Sequence, residues 1–212
     1  PLRRARLAAE RSGVKGARVM CHIGNAPGDL GVLLDLLRPG DILTHAYSGA
    51  GNNTVQNGKL IAAALEAKKR GVIIDVGHGG GSFDFTIAEP AIQQGLIPDT
   101  ISSDLHAYSG NSPSIPFLPN VMSKFLTLGF SLNQVIAMTT NRPGTIINRD
   151  PLLGTLKKNA IADISILDFV EKPVEWLDTR RNKRPGMYSL VPVQTIRAGR
   201  PFGRPFVAPF SY

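Results

Sequence analysis

The sequence has one cysteine, Cys21, and one tryptophan among 212 residues. A single thiol excludes an internal disulfide and suits a reducing compartment, so a cytoplasmic protein is expected. No stretch reaches the ~18 consecutive apolar residues of a membrane-spanning helix, so no membrane partner is expected. Aromatic residues make up only 7%. They do not interleave the basic runs as they would on a single-strand nucleic-acid platform. The net charge of +8 gathers near Arg3, Arg4, Arg6 and Arg11 and again over 180–204. No nucleic-acid partner is therefore expected, and the positive balance suits an anionic small molecule. No internal repeat or low-complexity segment occurs. With 42% apolar and 19% charged residues, the chain is globular and long enough for a sizeable core. Residue 1 is proline rather than methionine, which reads as a missing start of the gene product.

Short apolar runs alternate with helical periodicity. ARVMCH (17–22), DILTH (41–45), GVIIDVGH (71–78) and DTISSD (99–104) read as buried parallel strands. Between them, GDLGVLLDLLRPG, KLIAAALEAKKRG and FTIAEPAIQQG carry helical spacing. Two further helices follow within PNVMSKFLTLGF and SLNQVIAMTTNRPG, the second opened by a Ser131–Gln134 capping box. Beyond about residue 150 the pattern turns to strands, in GTLKKNAIADISILDF and YSLVPVQTIRAGRPF, with the charged DTRRNKRPG as an exposed link. The expected organisation is an α/β unit over 1–150 and a β-rich segment over 151–212. Strand–helix alternation leaves two architectures open: a small open parallel sheet, or half of a (β/α)8 barrel.

The candidate chemistry sits at the strand ends. His22, His45, His78 and Asp104 close the four strands in turn, at intervals of 23, 33 and 26 residues. Each interval is one βα unit, so all four project from the C-terminal edge of the sheet, where α/β folds place their sites. One such histidine is unremarkable, but three of the chain's four histidines in equivalent positions are hard to explain as packing. Imidazole and carboxylate are ligands for zinc and similar divalent metals. Such an ion polarises a carbonyl and makes water a nucleophile near neutral pH, and a neighbouring carboxylate can move the proton. GHGGGSF (77–83) places Gly79, Gly80 and Gly81 directly after a strand end. Glycines there let the backbone approach a ligand, although a plain flexible turn explains them equally well. His106 reads as an exposed loop residue.

CHIG, DILTHAYSG, DVGHGGGSFDF and ISSDLH resemble consecutive strand motifs of the amidohydrolase superfamily, in its dihydroorotase-like and deacetylase-like branches. TTNRPGTIIN followed by GTLKKNAIADISILD resembles that family's passage from the last barrel helix into a small β-sandwich. The resemblance implies the second half of a (β/α)8 TIM barrel, strands five to eight, followed by strands of the sandwich. It implies that His22, His45 and Asp104 are metal ligands, with zinc and a binuclear site in the complete enzyme. Asp104 would also be the catalytic acid/base, and His78 with Gly79, Gly80 and Gly81 would hold substrate. The family's HxH motif and bridging lysine are not found here. The chain therefore reads as a C-terminal fragment whose partner is the missing N-terminal half of the barrel, inactive and poorly soluble alone. Homo-oligomerisation stays open. The implied activity is hydrolysis of an amide or ester acyl bond in a small acylated substrate. Cyclic amide hydrolysis and a non-catalytic assembly partner are the alternatives.

Overall fold

A computed structural model describes residues 1–25, 27–148 and 151–203. Its contacts divide the chain into two compact units, 1–116 with 177–183, and 117–176 with the chain from 184 onward. The organisation differs from a single break near residue 150. The helices after residue 116 belong with the later strands, as when the Ser123 hydroxyl accepts the buried Leu190 N–H at 2.9 Å.

The first unit opens with α1 (Leu2–Arg11), which buries none of its residues. Strand β1 (Met20–His22) follows, then α2 (Leu30–Asp35), whose Asp29 side chain caps the Val32 N–H. Strand β2 (Ile42–Thr44) runs parallel to β1, with His22 opposite Thr44. A small hairpin comes next, β3 (Val55–Gln56) and β4 (Lys59–Leu60), turned by Asn57 and Gly58, both at positive φ. Asn-Gly is the favoured pair for such a turn because both residues tolerate that backbone. Helix α3 (Ala62–Lys69) therefore starts later than the periodicity from residue 59 predicts. Strand β5 (Ile73–Ile74) pairs in parallel with β2.

Helix α4 (Phe85–Gln93) is capped by Asp84 and contains Pro90. A fourth extended segment then continues the sheet. Asp75 and Thr100 form a parallel bridge, and the N–H groups of Val76, His78 and Gly79 donate to the carbonyls of Thr100, Ser102 and Ser103. Four parallel segments thus lie side by side in chain order, as the strand–helix alternation implies. The regular strands are shorter than the apolar runs, because pairing passes quickly into strand-end turns. Leu43, Ile74, Val76, Ala64, Phe85, Ala88 and Ala91 are buried between sheet and helices.

The second unit holds α5 (Leu118–Thr127), α6 (Leu132–Thr139) and α7 (Asn141–Ile146). The capping box at Ser131 and Gln134 is present. The expected single helix breaks in two at Thr140, which leaves helical backbone at φ −127°, ψ −88°. A three-stranded sheet follows in the order β6 (Ile164–Leu177), β7 (Lys183–Arg197), β8 (Arg200–Phe202). Residues 178–182, expected as an exposed charged link, are the connection between β6 and β7, and Asp178 there is buried. Among the described residues no helix is long and apolar enough to cross a membrane.

Candidate functional site

The strand-end residues named from the sequence all lie in the first unit. β1 and β2 bring His22 and His45 together, their rings edge-to-face with centroids 4.3 Å apart. His22 is exposed and His45 is buried. The His45 Nδ1–H donates to the Gly77 carbonyl at 2.5 Å. That bond commits one ring nitrogen and leaves Nε2 as the lone-pair donor, as a metal-ligating histidine requires. Partial burial, and then the neighbouring His45, lower the His22 pKa below its ordinary value, while Asp104 works in the opposite direction. His45 and Asp104 thus both act on the His22 ring, in opposite directions.

His45 and Asp104 both depart from the strand at positive φ, 63° and 47°. Non-glycine residues rarely adopt that backbone, and it clusters at functional sites. Asp104 is exposed and faces the backbone of Gly79. A Cβ on Gly79 would lie 2.7 Å from Asp104 Oδ2, and one on Gly77 would lie 2.6 Å from His45 Nδ1. Gly80 is close to the Ser109 backbone, whereas Gly81 is exposed, with open space where a side chain would go. The glycine run is thus not uniform. Close approach occurs at Gly77, Gly79 and Gly80, and Gly77 was not among the glycines picked from the sequence.

His78 is placed differently from the other two histidines. It is fully buried, stacked on Phe83 with centroids 4.8 Å apart, and its Nδ1–H donates to the Gly79 carbonyl at 2.8 Å. Phe83 in turn packs edge-on against Tyr47 and Phe85. Burial, then Asp99 and Asp75, hold the Tyr47 phenol well above its ordinary pKa, so its O–H persists as the donor to the Leu96 carbonyl. This arrangement makes His78 a support for the Gly79 backbone inside the unit rather than a surface group. His106 is exposed on the loop after Asp104, and its N–H donates to the Ser109 hydroxyl.

The donor set fits a divalent cation in part. Two imidazoles lie side by side, one of them oriented through Nδ1, and a carboxylate lies within electrostatic reach. Among the described residues, however, no three His, Cys, Asp or Glu side chains are gathered into a closed metal site.

Several known proteins are similar to this chain. A deacetylase of Brucella anthropi is 35% identical over 162 residues, covering 76% of this chain and 40% of its own length. A deacetylase of Agrobacterium fabrum is 33% identical over 189 residues, covering 86% and 46%. The chain therefore spans less than half the length of these relatives. Among solved structures, an adenine deaminase superposes with a TM-score of 0.86 at 27% identity, and a dihydroorotase with 0.82 at 29%. Each covers 94% of this chain, which in turn covers 54% of each. The family model described as amidohydrolase family matches residues 82–200, which include Asp104 and lie beyond His22, His45 and His78. A match over more than half the sequence, joined to an α/β unit with its polar residues at parallel strand ends, places the chain in the amidohydrolase family.

Proposed function

We propose that these residues form the strand five-to-eight half of a (β/α)8 barrel, with strands of a small β-sandwich, in a metal-dependent hydrolase. The proposed reaction removes an acyl or acetyl group from a small anionic substrate. The carrying observation is the edge-to-face pair of His22 and His45 at adjacent strand ends, with Asp104 acting on the same ring. Zinc, in a binuclear arrangement in the complete enzyme, is the favoured metal, and when bound it would activate water and polarise the scissile carbonyl. His22 and His45 would hold it, with Asp104. Asp104 would accept a proton from the attacking water and return it to the leaving nitrogen or oxygen. The backbone at Gly79, Gly80 and Gly81 would line the substrate, with His78 holding Gly79 from behind. The remaining ligands, and the strands that close the barrel, would come from the N-terminal half of the complete protein.

The deacetylase relatives, at 33–35% identity, favour acyl removal over other reactions of the family. The likeness to a dihydroorotase supports cyclic amide hydrolysis as the second reading. A direct test is His45→Ala in the full-length protein, with metal content and hydrolysis of N-acetyl and cyclic amide substrates measured together. Metal occupancy and turnover should fall together. Full turnover with normal metal content would overturn the assignment.

A further inference from the structure

Asp75 is buried beneath the site, 2% exposed, and its carboxylate accepts three hydroxyls. Thr100 donates to Oδ1 at 2.6 Å, and Thr44 and Ser102 donate to Oδ2 at 2.6 and 2.8 Å. These donors come from both neighbouring strands, so the carboxylate ties the centre of the sheet together. Ser102 differs from the two threonines in what its oxygen does next. It accepts the N–H of Gly77 at 3.0 Å. The carbonyl of the same glycine accepts the His45 Nδ1–H. A set of contacts therefore links the Asp75 carboxylate through the Ser102 hydroxyl to the Gly77 N–H, and through the Gly77 backbone to its carbonyl and the His45 ring.

The direction of each bond matters. Ser102 can accept from Gly77 because its own hydrogen is committed to Asp75. Gly77 is held by its N–H in the left-handed conformation, φ +51°, that aims its carbonyl at His45. The Gly77 backbone conformation links the two bonds, and the partner on one ring nitrogen sets the tautomer at the other. We propose that Ser102, anchored on Asp75, is a positioning residue that acts through Gly77 to fix the tautomer and orientation of His45. The proposal rests on the reading of His45 as a metal ligand for its consequence, but not for its structural content.

A purely structural role predicts a different pattern. Thr100 makes an equivalent bond to Asp75 and lacks the contact to Gly77. Ser102→Ala and Thr100→Val should therefore both loosen the carboxylate, and only Ser102→Ala should reach His45.

The experiment uses the full-length protein labelled with nitrogen-15 histidine, read by NMR without metal and then by zinc competition against a chelator. In the parent protein His45 should hold its proton on Nδ1. Ser102→Ala should give a mixture of tautomers and weaken zinc binding about tenfold, the low end for losing an outer partner of a ligand histidine, because the Gly77 carbonyl itself remains. Ser102→Thr, which keeps the hydroxyl, should restore both readouts. Thr100→Val should leave the tautomer as it is and zinc affinity within about twofold. Parent-like values in Ser102→Ala, or an equal tautomer shift in Thr100→Val, would overturn the proposal. If zinc fails to bind the parent, or binds His45→Ala equally well, the metal-ligand reading fails while the tautomer comparison still decides the role of Ser102.

Discussion

Gly77→Ala is the substitution that most directly probes how the site is built. The backbone at this position has φ +51°, which costs an L-residue about 1 kcal/mol or more. The added methyl would overlap the Thr44 hydroxyl and lie 2.6 Å from His45 Nδ1 and 3.0 Å from its Cε1. Both neighbours would have to move. Thr44 would loosen its bond to Asp75, and His45 would leave the Gly77 carbonyl, each worth about 1 kcal/mol net. The sum is about 3 kcal/mol of lost stability, read in full-length protein as a lower urea midpoint at unchanged m-value. Gly81→Ala is the internal control. It is exposed, nothing lies within 4 Å of the added methyl, and its cost should stay within about 0.5 kcal/mol. If both variants unfold at the same midpoint, the close approach of Gly77 to His45 is not what shapes this edge of the sheet.

Three further perturbations test other parts of the molecule. Asp104→Asn should lower turnover by at least about a hundredfold with the fold retained, and a near-normal rate would remove Asp104 from proton transfer. Burial works to raise the Asp41 carboxyl, yet hydrogen bonds from the Arg38 side chain and the Val19 and Arg38 N–H groups outweigh it and hold its pKa below the ordinary value. The resulting stability is full above the unfolded pKa near ~4 and is lost as pH falls through the lower folded value. Asp41→Asn should remove that part of the acid dependence and cost about 2–3 kcal/mol at neutral pH, less than a wholly buried pair because Arg38 is partly exposed. Unaltered acid unfolding would refute the assignment. Asp178→Ala leaves the N–H groups of Phe85, Arg180 and Asn182 and the Asn182 amide without their acceptor. A loss of about 3 kcal/mol in urea unfolding is expected, and a loss under about 1 kcal/mol would mean that water replaces the carboxylate.

The strand ends were legible because a parallel sheet repeats one unit per strand, so chemistry at equivalent positions shows as a spacing of histidines and an aspartate. The capping box at Ser131 was legible because it is local. The β3–β4 hairpin had a signal, Asn57-Gly58, that the polar surroundings concealed. The depth of Asp178 was hidden because a carboxylate in a charged run reads as solvated. It is buried because it caps four N–H donors. The path from Asp75 to His45 has no signature in sequence at all. His45, Ser102 and the pair Asp75 and Gly77 stand on three different segments, and their hydroxyl and backbone groups are common features that acquire meaning only through pairing across the sheet. For the same reason the glycine run 79–81 drew the eye, while Gly77, separated from it by His78, makes the tighter approach.

Positive backbone φ is shared by His45, Asp104 and several turns elsewhere in the described residues. Among the described non-glycine residues at positive φ, His45, Asp104, Asn57, Asn148 and Asn159 are of the types that adopt it most often, whereas Ile115, Arg181 and Ala198 are not. His45 and Asp104 still each hold a conformation that costs on the order of 1–3 kcal/mol unless its surroundings fix it. Those surroundings are present in both cases. The His45 carbonyl accepts the Ser48 N–H, its ring is held by Gly77, and the following Ala46 N–H donates to Asp75. The Asp104 carbonyl accepts the Ser109 hydroxyl, which also accepts the His106 N–H. An ordinary strand end would need neither device, because a glycine or asparagine would turn the chain at lower cost. Retaining a histidine and an aspartate at these two bends makes sense where the direction of the side chain matters more than the stability given up. On the proposed reading, that direction is what His45 and Asp104 supply at this edge of the sheet.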